Sequence, residues 1–549
     1  MDDAFRTAMA AGYAFDEPVI VFGSPIIGDE VLPDVRVQVP LSRINRHGLI
    51  AGATGTGKTK TLQILAGQLS DAGVPVFAVD VKGDLSGVGA PGDGSNPKIA
   101  ERAASLNFTF QAAGHPIEIL SLSGKVGAHV RASVSSFGPL LLGKVLDLND
   151  TQTSILSMVF RYCDDQDLPL LDLADLRTTL KFLGSDDGKP VLEDLGGISS
   201  ASLGVILRSI VTLEQEGAGD FFGEPEFDVD DLLRTGLDGR GVITLLEVAD
   251  VMDRPRLYST FVLWMLAQLF EGLPEVGDQP KPKLAFFFDE AHLLFDDASE
   301  ALMDQIERTA RLIRSKGVGV YFVTQAPTDV PSPVLSQLGN RVQHALRAFT
   351  PDDADALRKT ARTFPMTDHY DVERTITSLG IGEALVTVLS PKGVPTPLAA
   401  TRLLPPDSRM APLTEAEIAS VVAASPLAAR YGQAVDRESA HEIITARLAT
   451  ARAAAATAAA LPATGDSLDT MTPAQQRRAI EKRARELEAA RRAAERERKA
   501  QERATKAAER QRQKTMETAI RTAGRVATSR SGQSLIRGVF DTIFGAGKR

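Results

Sequence analysis

The sequence predicts an α/β fold: a central, mostly parallel sheet covered by helices, with a helical insertion and a long C-terminal helical tail. Three observations predict it. Short apolar runs alternate with helical stretches from about residue 48 onward, and such alternation builds a parallel sheet covered on both faces. The strand signal fades between residues 138 and 236, where amphipathic stretches such as Asn149 to Tyr162 and Leu173 to Phe182 dominate. From Met471 to Lys514 the chain is a run of Arg, Glu, Ala and Gln with almost no aromatic or β-branched residue, the composition of a long solvated helix.

Taken in order, residues 1–45 read as a short β-rich element, because 14–40 are rich in Val, Ile and Pro. Residues 46–137 read as the first part of the core, with an apolar run ending at Ala51, a helix from about Lys58, and strands at Val74 to Val79 and near Ile117 to Leu120. The helical insertion occupies 138–236. The core resumes over 237–405 with strands at Gly241 to Val248, Leu284 to Phe288 and Gly319 to Val323, and a weaker pair at Glu383 to Leu389 and Leu398 to Arg402. Residues 406–470 form a helical, Ala-rich linker region. Residues 471–549 form a basic helical or coiled tail, whose apolar end, Leu535 to Phe544, has the spacing to dock on a partner or on the body.

With 549 residues, 43% of them hydrophobic, the chain can bury a large core. Its net charge of −10 hides an asymmetry: the tail from Met471 carries 21 basic and 9 acidic residues, which leaves the rest strongly acidic. The body therefore gives no sign of nucleic-acid binding, whereas the tail can touch an anionic partner or remain a solvated helix of i,i+4 ion pairs. The single cysteine, Cys163, excludes an internal disulfide, and the N-terminus lacks a signal-peptide pattern, so a reducing cytoplasm is expected. The most apolar helical window, Phe261 to Phe270 with Trp264, is too short to cross a bilayer and reads as a buried helix.

The chemistry is carried by Gly52-Ala53-Thr54-Gly55-Thr56-Gly57-Lys58-Thr59, which matches G-x-x-x-x-G-K-[ST] and stands between a strand and a helix, as a phosphate loop must. Its glycines let successive N–H groups turn inward on a phosphate, reinforced by the positive end of the following helix. Lys58 is expected to bridge the β- and γ-phosphates of ATP, and Thr59 to hold Mg²⁺ through its hydroxyl.

The partner motif is Leu284-Ala285-Phe286-Phe287-Phe288-Asp289-Glu290, a strand so apolar that it belongs in mid-sheet and ends in two carboxylates. Asp289 is expected in the Mg²⁺ shell and Glu290 beside the attacking water. Gln325 follows the strand ending at Thr324; if that strand lies between the other two, its amide can sense the γ-phosphate or orient water. Asp80 and Asp84 end another strand, where they either reach the site or cap a turn. Arg46 and Arg314 are candidates to reach the γ-phosphate of a neighbouring subunit, or else surface ion pairs.

On these residues the chain resembles the HerA-like ATPases, most closely the YjgR-type bacterial proteins. The matching stretches are Asn45 to Ile50, Asp80 to Gly87, Phe221 to Pro225, Leu273 to Asp278, Asp289 to Phe295 and Val323 to Gln325, spread over residues 14–405. The resemblance implies a RecA-like core and a homo-oligomeric, hexameric ring that pumps double-stranded DNA, with active sites shared between subunits. It would put Lys58, Thr59, Asp289, Glu290 and Gln325 in cis and make Arg46 and Arg314 the finger candidates in trans. Archaeal relatives place a full β-barrel before the motor; the residues ahead of the phosphate loop here are too few for one. Two functions are expected from this: a DNA-dependent ATPase that translocates or unwinds duplex, or a protein-directed nucleotide switch or assembly ATPase whose C-terminal tail recruits a protein partner. A small-molecule kinase fits poorly, because nothing resembles an arginine-rich lid and Glu290 suits water activation.

Overall fold

The computed structural model describes residues 3–460 apart from 195–198, 253 and 296–299. The basic tail with its apolar end lies outside the described residues. Residues up to Thr450 form one compact unit; of the second unit, which begins at Ala451, the described part is the end of a single helix.

Helix α1 (Asp3–Gly12) leads into β1 (Val19–Ile27), β2 (Glu30–Val31) and β3 (Val37–Pro40). Strand β4 (Gly48–Ala51) is followed by α2 (Lys58–Asp71), β5 (Val76–Asp80), α3 (Pro97–Ser105), β6 (Ile117–Ser121) and β7 (Ala128–His129). Helices α4 (Val134–Val145), α5 (Asp150–Asp165), α6 (Leu173–Leu183), α7 (Lys189–Asp194) and α8 (Ser200–Gln215) then precede β8 (Ile243–Glu247). Next come α9 (Pro255–Gly272), β9 (Leu284–Phe288), α10 (Glu300–Ile313), β10 (Val318–Thr324), α11 (Ser332–Leu335) and β11 (Asn340–Gln343). Helices α12 (Pro351–Ala361) and α13 (Val372–Ser378) lead to β12 (Glu383–Thr387) and β13 (Ala399–Leu403), and α14 (Glu415–Ala424), α15 (Pro426–Tyr431) and α16 (Ala440–Ala460) follow.

The strands join in one sheet of order β2-β1-β13-β12-β11-β4-β10-β9-β5-β8-β6-β7, with β3 also on β1. From β11 to β7 all neighbours are parallel; β12, β13, β1 and β2 extend the sheet by antiparallel pairing. The fold is thus α/β with a mostly parallel central sheet. Alternate residues of the central strands feed two cores: Leu49, Val79, Phe286, Phe288 and Phe322 face the helices that follow β7 together with α9, while Ile50, Ala78, Phe287 and Val323 face α2, β1 and β3. A strand buried on both faces has no polar side, so Leu284–Phe288 is apolar throughout.

Local chemistry sets the helix starts. Asn149 and Gln152 cap α5 reciprocally, and Asp172 and Asp175 do the same for α6, satisfying N–H groups that the first turn leaves open. Trp264 of α9 is fully buried, and among the described residues no helix is long and apolar enough to cross a membrane. The N-terminal region differs from its sequence reading: α1 precedes the strands, anchored by Phe5, Met9 and, just beyond it, Tyr13, a four-residue spacing that sinks all three into the core. Strands β7 and β11 went unrecognised as well, the first because it has two residues and the second because Asn340, Arg341 and Gln343 make it polar.

Candidate functional site

The loop from Gly52 to Gly57 leaves the C-terminal end of β4 and enters α2. Gly57 caps that helix at φ 118°, a left-handed conformation that glycine tolerates. Gly52 is confined by space too, since a Cβ there would stand 2.4 Å from the Cβ of His344. Neighbouring strand ends clamp the loop: the Gly52 N–H donates to Thr324 O (3.2 Å), the Ala53 N–H to Ala345 O (2.9 Å), and Thr56 O accepts from the Gly382 N–H (3.0 Å). His344 lies beneath, its Nε2 2.8 Å from the Thr61 hydroxyl, and burial beside Lys58 pushes its pKa down to about 4, so the ring stays neutral.

Lys58 is buried and donates from Nζ to Gly52 O (2.6 Å). Burial pulls its pKa down, opposed chiefly by the carboxylate of Glu290 and also by that of Asp289. These two carboxylates end β9, separated from β4 by β10 alone, so the sheet order brings both motifs to one edge. Thr59 sits in the first turn of α2. Gln325 is exposed immediately after β10, the strand between the two motif strands, next to the carbonyl that holds Gly52.

Asp289 is buried, and its Oδ2 has no hydrogen-bond partner among the described residues. Burial, and then the charge of Glu290, raise its pKa to about 7. An orphaned carboxylate oxygen and the Thr59 hydroxyl are the hard oxygen donors that Mg²⁺ takes, so the residues fit that ion. Glu290 stands in the left-handed region at φ 45°. One of its oxygens is paired with the ammonium of Lys82, and the other lies 3.4 Å from His292 Nδ1. Burial alone would raise its pKa, but the Lys82 hydrogen bond and the nearby positive charges bring it below the usual glutamate value.

Asp80 caps a turn: its carboxylate accepts from the N–H groups of Gly83 (2.8 Å) and Leu85 (2.8 Å) and shapes the bend that carries Lys82. Beside it in register, Glu247 ends β8, and burial with the charges of Asp80, Asp250 and Asp84 raises its pKa to about 8. A carboxylate whose folded pKa is raised costs stability as pH climbs from its ordinary value of 4.5 toward 8. Glu247→Gln should therefore stabilise the protein by up to about 4 kcal/mol at pH 8 and by almost nothing at pH 4. Denaturant unfolding in EDTA at both pH values checks this; an equal gain at the two would point to packing instead of charge.

Arg46 and Arg314 lie at the opposite end of the strands, just before β4 and β10. Four residues of extended chain, roughly 13 Å, separate Arg46 from the phosphate loop, and the seven residues of β10 separate Arg314 from Gln325. Arg46 is held by Asp278 at 2.8 Å, which joins the Asn45 to Ile50 and Leu273 to Asp278 stretches beneath the sheet. Sequence reasoning missed Lys82, His344 and Glu247. Only Lys82 left a signal, a lysine two residues past a strand-ending aspartate; His344 and Glu247 gain their places from strands remote in sequence.

The chain is 22% identical over 384 residues to a DNA double-strand break repair helicase HerA of Sulfolobus acidocaldarius, covering 66% of each chain. It is 25% identical over 389 residues to the protein of that name from Pyrococcus furiosus, covering 64% of this chain and 65% of that one. The chain thus spans about two thirds of the length of these relatives. Among solved structures, the bacterial conjugative coupling protein TrwBdeltaN70 matches at 14% identity with a TM-score of 0.48, over 72% of this chain and 90% of that one. VirB4 of Thermoanaerobacter pseudethanolicus matches at 14% identity with a TM-score of 0.42, over 71% of this chain and 98% of that one. A family model, the helicase HerA-like C-terminal family, matches residues 28–549, and the chain belongs to that family.

Proposed function

We propose that the protein is an Mg²⁺-dependent ATP hydrolase, assembled as a homo-oligomer, that works as a motor on double-stranded DNA. The observation that carries the hydrolase reading is the meeting of Lys58 with Asp289 and Glu290 at one sheet edge, with Glu290 kept ionised in a buried setting. In this reading the loop N–H groups and Lys58 hold the β- and γ-phosphates, and Thr59 and Asp289 are the protein's ligands to Mg²⁺. When bound, that ion supplies positive charge against the phosphate oxygens. Glu290 accepts the proton of the attacking water, and Gln325 orients that water from the adjoining strand end. Arg46 or Arg314 reaches the site of the next subunit, where a guanidinium offsets charge on the transferred phosphoryl group.

DNA as the track rests on the family and on the relatives' name. A protein-directed ATPase is the second reading, favoured by the acidic body that leaves the positive charge to the tail. Steady-state ATPase activity at low salt, measured with and without double-stranded DNA alongside the mass in solution, separates the two. Stimulation in a ring-sized assembly is expected; turnover that ignores DNA at low salt, where phosphate contacts are strongest, would end the DNA reading.

A further inference from the structure

Beyond its phosphates, a nucleotide at this site also carries a base that the protein must hold. Strands β10 and β9 stand on one side of β4, and β11 and β12 on the other. A nucleotide whose γ-phosphate faces Asp289 and Glu290 therefore directs its base across the loop toward β11 and β12. Strand β12 is antiparallel to β11, so its first residue, Glu383, and the turn before it lie at the phosphate-loop end of the sheet.

That turn is built to present one apolar side chain. Ile381 is 76% exposed, although its backbone is held on several sides. The Gly382 N–H donates to Thr56 O inside the phosphate loop (3.0 Å), and Gly382 takes φ 73° to make that approach. Arg102 of α3 donates to the carbonyls of Ile381 (2.9 Å) and Gly382 (3.0 Å). The Glu383 carboxylate accepts from the Gly380 N–H (2.9 Å) and is itself held by Arg402 at 3.1 Å. Single exposed apolar residues are common on protein surfaces and need no explanation. This one is fixed beside the phosphate loop by a network that spans α3, β12 and β13, and it lies on the side to which the base points.

We infer that Ile381, displayed by the Gly380–Gly382 turn, is the platform on which the nucleobase of the bound nucleoside triphosphate packs. The inference rests on the proposed nucleotide site. An aliphatic platform rewards buried area and not a hydrogen-bond pattern, so adenine and guanine should bind alike and pyrimidines more weakly. Arg102 is a positioning residue, since it acts through the turn's carbonyls.

Calorimetric binding to the full chain with Mg²⁺, using ATP and inorganic tripolyphosphate as separate probes, tests this. Tripolyphosphate has the phosphates and no base. Ile381→Ala should weaken ATP about tenfold and leave tripolyphosphate unchanged, the exposed position making misfolding a minor concern. Arg102→Met should do the same, and Arg102→Lys, which keeps a donor for the two carbonyls, should recover part of the loss. If Ile381→Ala leaves ATP affinity intact, or weakens both probes equally, the platform is wrong while the phosphate site stands. If the unaltered protein binds neither probe, the nucleotide site itself falls, and the platform with it.

Discussion

Glu290→Gln is expected to keep ATP binding and stop hydrolysis, whereas Lys58→Ala is expected to remove binding altogether. The two substitutions act on opposite partners of one buried charge cluster. Glutamine retains an oxygen that can accept the Lys82 hydrogen bond and has nearly the same shape, so the end of β9 should keep its conformation. It lacks the basicity that water activation requires, and losing a general base lowers turnover by about 10²–10⁴-fold. Lys58 is different, because its ammonium is the loop's own cation and the counter-charge to Asp289 and Glu290. Alanine there leaves two carboxylates facing an anionic ligand, and affinity should fall by at least about 100-fold, more than 2.7 kcal/mol. Equilibrium titration with a fluorescent ATP analogue, paired with single-turnover hydrolysis, reads both effects. Brisk hydrolysis by the Glu290→Gln protein would move the base elsewhere; undiminished ATP affinity in Lys58→Ala would sink the phosphate-loop assignment.

The parts of this site that were legible in the sequence are those whose geometry is decided locally. A glycine at φ 118° entering a helix needs no distant partner to explain it, so Gly57 and the loop around it can be read directly. The Leu284–Phe288 strand is equally readable, because five apolar residues in a row are intelligible only with both faces covered. Strand β11 is the contrary case. Asn340 is polar by composition, yet its side chain is buried, donating to Arg43 O (3.0 Å) and accepting from the Leu389 N–H (3.1 Å). Only the assembled sheet supplies those partners. The Arg46 contact with Asp278 joins two stretches that the family resemblance had marked separately, and no spacing rule links residues so far apart. For α1 the signal was present: Phe5, Met9 and Tyr13 recur every four residues, a helical period hidden by a short segment rich in alanine.

Lys82→Met should change the pH dependence of turnover more than any other substitution near the site. Lys82 rides on the turn that Asp80 caps and places its ammonium on the Glu290 oxygen. That contact does two things to the proposed general base. It holds the carboxylate in one orientation, and it keeps its pKa below the usual glutamate range against the opposing pull of burial. A base with so low a pKa is always ionised at neutral pH but draws a proton from water only weakly. Methionine preserves the aliphatic stem and removes the charge, so burial would then dominate and the Glu290 pKa should rise above its ordinary value of 4.5. An acid limb should accordingly enter the kcat profile of the variant above the ordinary glutamate value, where the unaltered protein is flat with respect to this group. Above that limb, at pH 8, basal turnover should increase by roughly three- to tenfold, as a stronger base released from its partner acts more readily. The measurement is kcat against pH for both proteins at saturating ATP. A loss of about 100-fold with KM unchanged and no new acid limb would give Lys82 a different role, in which its charge stabilises the transferred phosphoryl group and does not restrain the base. The Lys82–Glu290 pair joins residues 208 positions apart through the adjacency of β5 and β9, so any movement of the Asp80–Asp84 turn would release the base together with the lysine. Turnover would then depend on the conformation of that turn.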